Sequence, residues 1–190
     1  IRNLDSLTAQ SLPGTDGASF PFWSPDSKTV AFFTRGKLKR LDATGGPVQT
    51  LCDATNGRGG AWNPAGVIIF TSDTNTPLSR VYAAGGAVSQ LTKVSPTEIG
   101  HRVPVFLPDG KHFLYSALLQ SAGKFDIYAG SLDSPNTTKI ESAESPALYS
   151  PAGYLLFARQ GNLMAEPFDA GNLKVTGEAV PIVEQIAYSN

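Results

Sequence analysis

The chain has 190 residues, of which 41% are hydrophobic and 16% charged, with 19 Gly and 14 Pro. That apolar share is enough to bury a core and excludes a disordered tail, and the Gly and Pro content suits short strands joined by tight turns. A formal net charge of −1 gives no global reason to expect nucleic acid or an anionic membrane as a partner.

Taken in chain order, the sequence repeats itself. Residues 1–13 match the last two strands of a repeat unit: Ile1 to Leu4, a turn at Asp5-Ser6, then Thr8 to Leu12. A full unit over 18–54 holds Phe20-Pro21-Phe22-Trp23-Ser24-Pro25-Asp26, the apolar run Val30-Ala31-Phe32-Phe33 and the alternating Leu38-Lys39-Arg40-Leu41. It closes with a Gly45-Gly46 turn and Val48-Gln49-Thr50-Leu51. The same order returns over 57–94, with Trp62-Asn63-Pro64, then Val67-Ile68-Ile69-Phe70, Leu78-Ser79-Arg80-Val81-Tyr82, Gly85-Gly86 and Val88 to Leu91. Over 100–143 it reads Phe106-Leu107-Pro108-Asp109-Gly110-Lys111, Phe113-Leu114-Tyr115-Ser116, Ile127 to Leu132 and Thr137 to Ile140. Over 144–186 it reads Tyr149-Ser150-Pro151-Ala152-Gly153, Tyr154-Leu155-Leu156-Phe157, Leu163 to Phe168 and Val180 to Val183. Residues 187–190 open a further unit.

The anchoring aromatics Trp23, Trp62, Phe106 and Tyr149 are 39, 44 and 43 residues apart, the length of one four-stranded propeller blade. Short β-branched and aromatic runs bounded by Gly, Pro and Asp read as buried strands. The Pro-Asp-Gly turns preset φ and supply a positive φ, so the first two strands reverse tightly. Each aromatic gives its blade a large apolar surface to stack on a neighbour. The expected fold is therefore all-β: a single propeller of four complete antiparallel blades plus a half blade. Ala65 and Ala152 replace the turn Asp, so those two turns should carry fewer side-chain-to-backbone hydrogen bonds. Periodicity arising by accident on a β-sandwich is argued against by four matching blocks in one internal order.

Trp23-Ser24-Pro25-Asp26 and Phe106-Leu107-Pro108-Asp109-Gly110-Lys111, each followed by an apolar strand, resemble the PD40 (WD40-like) repeats of TolB-like propellers. His101-Arg102 through Tyr115 is similar to the propeller domains of bacterial eukaryotic-like serine/threonine kinases. The resemblance implies a propeller, and for the kinase-borne relatives an extracytoplasmic place in a larger signalling protein. The start Ile1-Arg2-Asn3-Leu4, with neither Met nor an apolar leader, fits the middle of a longer chain. Two strands at one end and at most one at the other do not complete a blade. Open edges of that kind lead us to expect a homo-oligomer.

Propellers place ligands at the mouth of the central channel. Counting back from each aromatic gives the column Ser19, Arg58, Arg102 and Ser145, and one residue earlier Ala18, Gly57, His101 and Glu144. Arg58, His101, Arg102 and Glu144 are thus the candidate ligand-binding residues. Paired guanidiniums suit a carboxylate or phosphate, since each presents a bidentate fork; the alternative is that they pair with Glu98, Glu144 or loop carbonyls to hold the rim. No phosphate loop, nucleophile elbow or metal-protease motif occurs, and Gly57-Arg58-Gly59-Gly60 leads into a strand rather than a helix. Asp126, Asp133 and Asp169 read as turn caps, His112 as a solvated turn residue and the lone Cys52 as a small apolar one. With no stretch long and apolar enough to span a membrane, the expected partner is a protein or a small anionic ligand. The first functional reading is a non-catalytic binding module without cofactor. The alternative is a metal-assisted hydrolase of esters or phosphoesters, with a channel-bound divalent metal on Glu98, His101 and Glu144. A purely structural fragment is the third.

Overall fold

The computed structural model describes residues 1–2, 5–121 and 123–186, and every regular element among them is a β-strand. Residues 187–190, expected to open a further unit, and Asn3 and Leu4, expected in a first strand, fall outside the described residues.

Four antiparallel sheets follow one another, each a meander in chain order. The first is β1 (Ser19–Trp23), β2 (Thr29–Thr34), β3 (Lys37–Asp42) and β4 (Gln49–Asp53). The second is β5 (Gly60–Trp62), β6 (Val67–Thr71), β7 (Leu78–Tyr82) and β8 (Ser89–Gln90). The third holds β9 (Glu98–Phe106), β10 (His112–Leu119), β11 (Phe125–Ser131) and β12 (Ser134–Ala143). The fourth holds β13 (Leu148–Ser150), β14 (Tyr154–Arg159), β15 (Asn162–Asp169) and β16 (Lys174–Val175). A fifth strand, β17 (Val180–Val183), pairs β15 along Leu163 to Ala165. These are the four blades read from the repeat.

Successive side chains of each second strand point to opposite sides, so those of blades 2 and 3 feed two interfaces and those of blades 1 and 4 feed one blade-to-blade interface each. Ala31 and Phe33 meet Ile68 and Phe70 between blades 1 and 2. Val67 and Ile69 meet Phe113 and Tyr115 between blades 2 and 3. Leu114 meets Leu155 and Phe157 between blades 3 and 4. Core formation here means blade on blade.

The anchoring aromatics occupy matching ladder positions, opposite Val30, Ile68, Phe113 and Leu155. Trp62, Phe106 and Tyr149 each pack on the interface with the preceding blade. Trp23 faces the same way, where no strand is described, and is 48% exposed. Before Ser19, Ile1 and Gln10 exchange two backbone hydrogen bonds of 2.7 and 2.8 Å. Leu12 covers part of blade 1 by packing on Val30, Phe32 and Leu41.

The turns follow their side chains. In blade 1, Asp26 accepts the Lys28 N–H and Ser24 Oγ accepts that of Thr29. In blade 3, Asp109 accepts both Lys111 and His112 N–H. Where Ala stands instead of Asp, one such bond remains: Val67 N–H to Asn63, and Ala152 N–H to Ser150.

Candidate functional site

Three backbone irregularities recur at one place on the innermost strands. Phe20 (φ 46°), Gly59 (φ 108°) and Val103 (φ 46°) each lie three residues before their blade's aromatic. The ladder shifts register there in blades 1 and 3. A bulge re-aims the neighbouring side chain, and positive φ at a β-branched residue such as Val103 is a strained conformation that collects at functional sites. Blade 4 has Pro146 at this position, whose ring fixes φ negative.

The bulges bring blades 2 and 3 together. Val103 N–H donates to the Arg58 carbonyl at 3.1 Å, and a Cβ on Gly59 would stand 3.1 Å from Val103 Cα. Arg58 and Arg102, each one residue before its bulge, therefore line a single cavity of about 670 Å³. Its walls also include Phe20 of blade 1, Ile99, Leu118, Leu119, Gln120 and Phe125 of blade 3, and Pro146 leading into blade 4. The Arg58 guanidinium lies 5.8 Å over the Phe20 ring. Among the described residues neither guanidinium forms an ion pair with a carboxylate. Burial, and then the neighbouring Arg58 charge, lower the proton affinity of Arg102.

His101 and Glu144 do not join them. The His101 side chain is fully buried between blades 2 and 3. Its Nδ1 lies 2.7 Å from Thr92 Oγ1 and its Nε2 3.2 Å from Glu98 Oε2, and its ring packs on Tyr115 at 4.5 Å. Burial holds its proton affinity below the ordinary value, against the opposing pull of Glu98. Glu144 accepts the Gln160 N–H at 2.7 Å and is not among the cavity-lining residues. For His101 the physical reason is the period of two along β9, since residues one apart cannot share a face, whereas Glu144 lies in the bend between β12 and β13. Glu98 is engaged by His101 and by Ser95 N–H, so it does not hold either arginine. The set Glu98, His101 and Glu144 does not converge, and no group of three metal-ligating side chains occurs among the described residues. Among the described residues, no Asp, Glu, His or Cys lines the cavity.

Other candidates resolve into structure. Asp126 is not a turn cap: it is buried and accepts Ser142 Oγ and Lys139 Nζ, both at 2.7 Å, clasping β11 to β12. Asp169 does cap a turn, accepting Gly171 and Asn172 N–H. His112 pairs with Asp109 of its own turn at 2.5 Å. Burial raises the Cys52 thiol to about 11, which leaves it unreactive at neutral pH. The glycines around Arg58 serve close packing: a Cβ on Gly57 would stand 2.1 Å from the Phe33 ring.

Counting back from the aromatics found both arginines but none of the apolar wall. The signal was present in the run Ala117-Leu118-Leu119, which carries apolar character past the core to the hairpin between β10 and β11.

This architecture is that of a β-propeller and is similar to that of a TolB structure, with a two-arginine cavity against its innermost strands. No family model matches the chain. It is 28% identical over 188 residues to an uncharacterized protein of Agrobacterium fabrum, covering 90% of this chain and 59% of that one. A solved structure from Agrobacterium tumefaciens assigned to TolB is similar at 24% identity with a TM-score of 0.61, over 90% of this chain and 62% of that one. A gluconolactonase from Xanthomonas campestris is similar at 14% identity with a TM-score of 0.66, over 86% and 61%. The chain thus spans about three fifths of the length of the proteins it resembles.

Proposed function

We propose that this chain is a non-catalytic binding module whose cavity takes an anionic ligand. One observation carries the reading: Arg58 and Arg102 converge from different blades on one cavity, with no carboxylate there to neutralise them. Holding two like charges together costs free energy that a bound carboxylate or phosphate recovers through charge-assisted, bidentate hydrogen bonds. The strained φ of Phe20 and Val103 beside them supports the same reading. A protein partner presenting an acidic side chain meets the same chemistry.

Binding of inorganic phosphate at low ionic strength, followed by NMR, tests the pair. Arg58→Ala and Arg102→Ala together should weaken it by about 3 kcal/mol or more, since bonds to charged groups are worth about 1.5–3 kcal/mol each. Unchanged binding in the double variant would contradict the assignment.

The gluconolactonase likeness favours a second reading, a metal-assisted hydrolase. It would need a donor set other than Glu98, His101 and Glu144, and stoichiometric metal in chelator-free protein would support it.

A further inference from the structure

We infer that the ligand is an amphipathic oxyanion, with a carboxylate or phosphate head and an apolar body; this rests on the anion-binding reading above. The cavity lining is of two chemical kinds. Arg58 and Arg102 supply its charge, and Ile99, Leu118, Leu119, Phe125 and Pro146 supply most of the rest. Three of the donors along that wall are already used. Gln120 Nε2 donates to the Pro96 carbonyl at 2.8 Å and Gln120 N–H to that of Thr97 at 3.0 Å. Leu119 N–H is taken by the Lys124 carbonyl at 2.9 Å. A polyhydroxylated body such as a sugar acid would bury hydroxyls against these side chains without partners, which is costly. An alkyl or aryl body loses nothing there and gains from leaving water.

The head is fixed by the arginines. With the Arg58 guanidinium over the Phe20 ring, one face is occupied while the N–H edges stay open to an oxyanion. At about 670 Å³ the cavity falls in the usual range for small-molecule sites. Leu118 and Leu119 at the end of β10 and Phe125 at the start of β11 line the cavity from blade 3, Phe125 reaching it from the core shared with blade 4, so these side chains set the depth available to the body.

The experiment is calorimetry of the intact chain with decanoate, decyl phosphate, decanol, gluconate and inorganic phosphate, below micelle-forming concentrations. Decanoate or decyl phosphate should bind roughly tenfold or more tightly than decanol, gluconate and inorganic phosphate. The stronger of the first two identifies the head. Arg102→Ala should weaken it by roughly tenfold or more, and Arg102→Lys by less, since charge is kept while the fork is lost. Leu119→Ser should weaken decanoate while leaving inorganic phosphate unchanged. Denaturant midpoints of the variants establish that the fold is intact. Gluconate or phosphate binding as tightly as decanoate, with the same dependence on the arginines, would leave an anion site and overturn the amphipathic body. Decanol matching decanoate would show that the arginines do not read a head, and no binding by any anion would overturn the anion reading itself.

Discussion

His101 and Arg102 are neighbours in sequence and opposites in environment. The imidazole closes a buried chain from Thr92 to Glu98, while the guanidinium next to it meets the cavity. Removing His101 leaves Glu98 and Thr92 short of a partner where water is excluded. His101→Ala should therefore cost about 1–3 kcal/mol of stability at pH 7.5, measured by denaturant unfolding. A pH signature goes with it. Because burial lowers the histidine's proton affinity in the folded state, the unfolded chain binds the proton more readily. Its contribution is present above the ordinary value of 6.5 and is lost as pH falls below it. Glu166 acts in the other direction: its carboxyl is raised by burial and then by Glu141, so its contribution is lost as pH rises. The difference between wild type and His101→Ala isolates the histidine and should shrink from pH 7.5 to pH 5. A constant difference would contradict the buried neutral imidazole. The sequence placed both residues within one position of a common column. Which of them faces the cavity depends on the bulge at Val103, and positive φ at a valine leaves no mark in composition or periodicity.

The blade is the element that the sequence made legible. Every apolar run expected as a second strand is one, and the turn chemistry follows the Pro-Asp and Pro-Ala difference. Exposure was less legible. Trp23 shares its ladder position with three partly buried aromatics and is half exposed, because the described residues before Ser19 supply Leu12 to this blade and no strand. Blade 4 has the opposite face open. Leu148, Tyr154, Val180 and Val183 are exposed there, aligned across β13, β14, β15 and β17. One face looks back along the array and the other forward, so a blade 4 from one molecule can stack on a blade 1 from another. Light scattering of this 190-residue chain should show mass rising with concentration. Val180→Lys with Val183→Lys should hold it near its 20.0 kDa monomer. A monomer at every concentration in the unaltered chain would show that these faces tolerate water as they stand.

At the scale of the molecule, the cavity belongs to no single blade. Phe20 comes from blade 1, Arg58 from the lead into blade 2, Arg102 and most of the apolar wall from blade 3, and Pro146 from the lead into blade 4. Stacking creates it, and the bulges on the innermost strands aim charge into it. The repeat disclosed the stack because every unit carries the same signal. It did not disclose the cavity, most of whose apolar wall comes from the parts of blade 3 that depart from the repeat. The most direct measurement is a crystal structure grown with a terminally brominated alkyl carboxylate. The carboxylate should sit between the guanidiniums of Arg58 and Arg102, with the bromine's anomalous peak against Leu118, Leu119 and Phe125. A ligand seated elsewhere, or an alkyl chain in the cavity with its carboxylate turned away from both arginines, would contradict the anion site.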